Sequence, residues 1–157
     1  NRCYLDGEGV QKDLEEAVRL FTIASNQSEA EGQCILGMCY RDGEGVKMDL
    51  EEAVSLFTLA AKQGDAQGQC ALAACYRDGD GVEKDFKEAV RLFTLADDKG
   101  DAQGQCDLAR CYMDGEGVEK NLKEAARLYT LAANKGHAAG QGDLGTGYTD
   151  GEGEAKV

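Results

Sequence analysis

A period of 36 residues runs through this chain of 157 residues and constrains its fold more than any other feature. The recurring residues include Tyr4, Tyr40, Tyr76, Tyr112 and Tyr148, and also Gly7, Gly43, Gly79, Gly115 and Gly151. So many positions that recur at the same spacing indicate a repeated supersecondary unit. Complete repeats span 30–65, 66–101 and 102–137, while 1–29 and 138–157 are partial repeats. We therefore expect one repeat array, 1–157, that is a piece of a longer array.

Each repeat predicts two helices. Helix A, residues 30–41 in the second repeat, is rich in small and apolar residues and ends before Gly43, which suits a left-handed backbone. Helix B covers roughly 50–63, with Asp49 as its N-cap and Glu52 three residues later. The same pair recurs as Asp13/Glu16, Asp85/Glu88 and Asn121/Glu124. The pattern predicts an all-α chain of helix-turn-helix repeats.

Helix B has two apolar edges, which predicts how the repeats pack. Its main edge has the helical spacing i, i+3, i+4, i+7, and Leu56 and Leu59 add a second edge. A helix with two apolar edges is expected to lie between its own helix A and the next repeat. Small residues at Gly37, Ala53 and Ala60 would let the helices approach closely. Since one hairpin cannot bury a core alone, the repeats should stack as a solenoid.

Composition excludes several classes of function. The formal net charge of −13 argues against nucleic acid and against anionic membrane surfaces as partners. No apolar run approaches the roughly 20 residues of a membrane-spanning helix, and no signal-peptide segment is seen at Asn1. His137 is the only histidine, and no nucleophile–base pair is evident. The segment starting at Asp42 fails the calcium-loop spacing. We therefore expect neither catalysis nor a metal or other cofactor.

Seven cysteines leave two interpretations open. Within one helix A, Cys34 and Cys39 are too far apart for a disulfide, and helix B contains no cysteine. The regular alternative joins neighbouring repeats, with Cys111 left over because Gly142 takes the next place. The candidate pairs are Cys3–Cys34, Cys39–Cys70 and Cys75–Cys106. The other interpretation is seven buried thiols acting as small apolar residues, and free thiols would favour a cytoplasmic location.

The repeat resembles a known family over the whole chain. The matching residues are Leu36-Gly37, Tyr40, Gly43-x-Gly45-Val46, Asp49, Ala53, Ala60-Ala61 and Gly64. Together they closely resemble the Sel-one-like repeat, a subclass of tetratricopeptide-like α-solenoids. The resemblance implies a right-handed α/α superhelix that acts as an adaptor or scaffold in protein complexes. It carries over no catalytic residue, and it implies that helix A lines the concave surface.

Differences among the repeats point to a binding face. Helix A disagrees between repeats at four positions spaced i, i+4, i+7 and i+10, which lie on one face. We predict that the partner-binding residues on this face, here called the helix-A stripe, are Glu31, Ile35, Met38, Gln67, Ala71, Ala74, Gln103, Asp107, Arg110, Asp143 and Thr146. The stripe is apolar near Ile35 and charged near Asp107. It would suit an extended peptide or a partner helix.

Three questions about function stay open at this point. The first is whether the helix-A stripe binds a partner or is only a solvated face whose residues vary freely. The second is whether the acidity of the Asp-Gly-Glu-Gly loops serves helix capping or attracts a basic partner segment. The third is whether the chain is an adaptor at all. The alternative is a structural subunit of a larger assembly, bound through its edges or its convex face.

Overall fold

The computed structural model describes residues 7–136, and these residues form α-helices joined by short loops, with no strand among them. The helices are α1 (Gly7–Asn26), α2 (Ala30–Asp42), α3 (Leu50–Lys62), α4 (Ala66–Asp78), α5 (Phe86–Asp98), α6 (Ala102–Asp114) and α7 (Leu122–Asn134). Helix A of successive repeats is α2, α4 and α6, and helix B is α1, α3, α5 and α7. The prediction of an all-α helical-repeat solenoid is confirmed.

The chain divides into two compact units, Asn1–Lys84 and Asp85–Val157, called unit 1 and unit 2 below. In unit 1, α2 packs against α1 on one side and α3 on the other, and α3 packs in turn against α4. The two A helices of this unit, α2 and α4, also contact each other. In unit 2, α6 packs against both α5 and α7. Within each unit one helix A, α2 or α6, thus packs against two helices B.

Capping side chains fix where the helices begin. Asp49 accepts a hydrogen bond from the backbone N–H of Glu52 at 3.1 Å, and Asp65 accepts one from Gly68 at 2.8 Å. The same arrangement recurs at Asp85, Asp101 and Asn121. Each helix A ends at a left-handed glycine, for example Gly43 with φ of 70°. The caps predicted at Asp49, Asp85 and Asn121, and the helix end predicted at Gly43, are therefore confirmed.

The first repeat departs from the predicted cap. Helix α1 begins at Gly7, so Asp13 lies inside the helix and does not cap it. In later repeats, the loop between helix A and helix B packs against the helix B of the preceding repeat. A Cβ on Gly45 would lie 2.5 Å from the carbonyl oxygen of Leu14, and a Cβ on Gly81 would lie equally close to that of Leu50.

The core follows the predicted close approach of helices. The ring of Phe57 is fully buried and lies so near Gly37 that a Cβ there would be 2.7 Å from the ring. A Cβ on Gly68 would lie equally close to the Cβ of Ala60, at 2.6 Å. These small residues let helix A rest on helix B without a gap, which is why the repeats keep them.

Of the two residues that form the predicted second apolar edge of helix B, only one is buried. Leu56 is buried, in a cluster with Val18 and Leu36, but Leu59 is 47% exposed. Two residues turn an α-helix by about 200°, so Leu59 lies almost opposite Phe57, which faces helix A. The outer side of helix B therefore carries an aliphatic side chain in solvent. Within 7–136, no helix is both long and apolar enough to span a bilayer.

Candidate functional site

The helix-A stripe of unit 1 is mainly apolar. Ile35 and Met38 on α2 are half-buried, Ala71 on α4 is buried, and Ala74 is half-buried. Because α2 and α4 contact each other, these side chains belong to two neighbouring helices. Their polar members, Glu31 and Gln67, are exposed at the start of each helix.

The far end of the stripe in unit 1 carries two arginine–aspartate pairs. The Nε of Arg41 donates to Asp42 at 3.0 Å, and Arg77 makes the same bond to Asp78 at 3.0 Å. The guanidinium of Arg41 also lies 6.0 Å from the centre of the Phe57 ring. These contacts hold Arg41 and Arg77 against the protein. The unit therefore offers a small apolar strip with polar groups at both ends.

In unit 2 the helix-A stripe is polar, and its side chains bind one another. The carboxylate of Asp107 accepts hydrogen bonds from Gln103 Nε2 at 2.9 Å and from an Arg110 guanidinium N–H at 3.5 Å. Asp107 is only 7% exposed, whereas Gln103 and Arg110 are exposed. A partner would therefore meet Gln103 and Arg110 before Asp107. The remaining predicted residues, Asp143 and Thr146, lie outside the described residues.

The cysteines at 34, 39, 70, 75, 106 and 111 are free thiols, and all but Cys39 are buried. Burial, with a smaller contribution from Asp65, raises the pKa of Cys34 to about 11. Burial, followed by Asp80, raises the pKa of Cys75 to about 11 as well. Such thiols are poor nucleophiles at neutral pH. Cys3 lies outside the described residues, and disulfide pairing between repeats stays a prediction that a thiol count without reductant tests.

A buried glutamine on each helix A escaped the sequence analysis. Gln33, Gln69 and Gln105 are each at most 4% exposed. The Oε1 of Gln33 accepts a hydrogen bond from Gln63 at the end of α3, at 2.8 Å, and Gln105 donates to Asp97 near the end of α5, at 3.2 Å. The sequence signal that could have revealed them is a glutamine that recurs at this position in every complete repeat while neighbouring positions vary. Gln33 and Gln105 therefore tie helix A to the end of a helix B.

Nothing in residues 7–136 assembles three or more histidine, cysteine or acidic side chains into a possible metal site. Unit 1 has an open cleft of about 430 Å³, lined by Tyr40, Val46, Lys47, Met48 and Asp49.

Comparisons with known proteins agree with this architecture. The model of the Sel1 repeat matches residues 2–29, 30–65, 66–101 and 102–137. A comparison with curated proteins finds no match. Among solved structures, a Sel1 repeat protein from Oxalobacter formigenes is 28% identical, with a TM-score of 0.79, and the match covers 83% of this chain and 52% of that one.

Two further structures extend the likeness. The protective antigen c5321 of uropathogenic Escherichia coli, which displays an SLR fold, is 36% identical, with a TM-score of 0.81, over 95% of this chain and 32% of its own. Cysteine-rich protein B of Helicobacter pylori is 24% identical, with a TM-score of 0.68, over 86% of this chain and 97% of its own, and this likeness concerns the fold alone. The chain spans about half the length of the Oxalobacter protein and a third of the Escherichia coli antigen. With four repeats matched along most of its length, the chain belongs to the Sel1 repeat family.

Proposed function

We propose that this chain is a non-catalytic adaptor that binds a peptide or helix of a partner protein on the helix-A stripe. Sel1 repeat proteins generally act as scaffolds for protein interactions and are typically non-catalytic. The observation that carries the proposal is the strip of Ile35, Met38 and Ala74 in unit 1. These aliphatic side chains remain partly in solvent, whereas Leu36 and Leu72 on the same two helices are buried.

The chemistry of the strip suggests the kind of partner. An apolar anchor of the partner would cover Ile35 and Met38, and removing this surface from water is worth about 25 cal/mol per Å². Glu31 at one end, with the overall charge of −13, favours lysine or arginine beside the anchor. We therefore expect a segment that alternates apolar and basic residues, with binding that weakens as salt is added.

The test is a capture experiment followed by a measured affinity. Immobilised protein is used to isolate bound proteins, the binding segment is mapped with overlapping peptides, and its Kd is measured by fluorescence anisotropy. The variant Ile35→Asp/Met38→Asp should bind at least about tenfold more weakly, because each aspartate faces the apolar anchor.

A matched control places the same charges elsewhere. Met48 and Leu122 are also exposed apolar residues, at 59% and 60%, but they lie outside the helix-A stripe. The variant Met48→Asp/Leu122→Asp should keep the original Kd, and circular dichroism should show that both variants are folded. Equal affinity of the stripe variant and the native protein would move the binding surface to the edges or the outer side of helix B. That outcome would favour the alternative of a structural subunit.

A further inference from the structure

The outer side of helix B has a large aliphatic residue at the same position in four repeats. These residues are Ile23, Leu59, Leu95 and Leu131. Ile23 and Leu59 are 44% and 47% exposed, and Leu95 and Leu131 are half-buried. Most outer positions of helix B are polar or charged. Each repeat therefore presents one aliphatic side chain partly in solvent on this side of helix B.

Charged residues eight positions earlier divide these aliphatic residues into two kinds. The position is Glu15 and Glu51 in unit 1 but Lys87 and Lys123 in unit 2, and all four side chains are exposed. Eight residues place two side chains within about 80° around a helix, so the charge and the aliphatic residue share one side. We call the two surfaces the acidic ridge (Glu15, Ile23, Glu51 and Leu59) and the basic ridge (Lys87, Leu95, Lys123 and Leu131).

The arginines between these positions do not change the sign of either ridge. Arg19 pairs with Glu16, Arg91 with Glu88 and Arg127 with Glu124, each on its own helix. In each pair the two charges offset one another. The second repeat has Ser55 in place of an arginine, which leaves the acidic ridge more negative. The glutamates of one ridge and the lysines of the other therefore decide how each surface meets a charged partner.

Near the C-terminal ends of α3 and α5, the signs of the exposed charges are reversed relative to the starts of these helices. Eleven residues after Glu51 comes Lys62, and eleven residues after Lys87 comes Asp98, and both are exposed. If α3 of one molecule lay parallel to α5 of another, glutamate would meet lysine at the helix starts and lysine would meet aspartate near the helix ends. The aliphatic residues would lie between these two charged contacts.

We propose that the occupant of each ridge is a second copy of this chain, with the acidic ridge of one copy on the basic ridge of the other. Pairing of like ridges would bring glutamates against glutamates, which is unfavourable. Each copy offers both ridges, so two copies related by a two-fold axis would make the two contacts equivalent and form a closed dimer. The contact covers Ile23 and Leu59 of one copy with Leu95 and Leu131 of the other.

Sedimentation velocity over a range of concentrations tests the pairing with two charge variants. Glu15→Lys/Glu51→Lys leaves lysines on both ridges, and Lys87→Glu/Lys123→Glu leaves glutamates on both. Each variant alone should dimerise at least about tenfold more weakly than the native protein, since several rim charge pairs become repulsive. An equimolar mixture should regain the native dimer, because each ridge then meets its opposite in the other variant.

A control with the same change in charge separates this pairing from general electrostatics. Glu44→Lys/Glu83→Lys alters two exposed loop residues of unit 1 and should leave dimerisation unchanged. Leu59→Asp should weaken it, with circular dichroism confirming that the variant is folded. A native protein that stays monomeric at all concentrations would overturn the proposal. So would charge variants that dimerise as well alone as they do mixed.

Discussion

Burial suppresses the ionisation of the cysteine thiols of helix A. Cys34 and Cys75 lie in the protein interior, and burial raises the pKa of each thiol to about 11. The half-buried thiol of Cys39 shifts in the same direction and for the same principal reason. Their positions in the 36-residue period are visible in the sequence, but their protonation depends on neighbours such as Asp65 and Asp80, which the fold brings near.

These raised pKa values predict that stability falls at high pH. An unfolded cysteine ionises near pH 8.5, so below that pH both states keep the proton and the contribution of the thiol is complete. Between about pH 8.5 and 11 the unfolded state ionises first, and the free energy of unfolding decreases. Urea unfolding at pH 7 and pH 10 should show this loss, and it should be smaller in Cys34→Ala. An equal loss in both proteins would contradict the assignment to this thiol.

At the scale of single helices, local sequence signals predict most boundaries. Asp49, Asp85 and Asn121 cap their helices as the sequence predicts, because a cap needs only the residue and the next three N–H groups. The same signal at Asp13 fails, because α1 already begins at Gly7. The exposure of Leu59 and the burial of Asp107 were also missed, because both depend on contacts made after the helices pack.

The caps provide a matched test at this scale. Asp85→Ala removes the side chain that accepts from the backbone of Glu88 at 3.1 Å, and Asn121→Ala removes its counterpart at Glu124. Each should lower the free energy of unfolding by about 1 kcal/mol, measured by urea denaturation. Asp13→Ala lies within α1 and should lower it by less. If Asp13→Ala cost as much as Asp85→Ala, then α1 would begin at the cap that the sequence predicts.

At the scale of the whole molecule, the repeat period predicts the architecture, while the surfaces are less predictable. The period, the helix pattern and the glycines are enough to assign a stacked all-α array, because each is repeated and each has a local physical cause. The helix-A stripe was recognised from disagreement between repeats. The aliphatic residues on the outer side of helix B agree between repeats, and their apolar spacing led to the expectation that Leu59 is packed. Agreement between repeats therefore indicates that a position is constrained. Only the structure shows whether that position packs in the interior or lies on an exposed surface.

The charge of the whole chain predicts how its stability responds to salt. A net charge of −13 places carboxylates near one another in the folded state, and their repulsion opposes compaction. Raising NaCl from about 0.01 M to about 0.5 M shortens the Debye length from about 30 Å to a few ångström. We expect a gain of about 1 kcal/mol in the free energy of unfolding, or about 2–4 °C in Tm, by circular dichroism at a protein concentration that keeps the chain monomeric. Glu44→Lys/Glu83→Lys reduces the negative charge by four, so it should gain less from the same salt. If both proteins gained equally, the effect would come from salt strengthening apolar burial, and charge repulsion would not limit the stability of this repeat array.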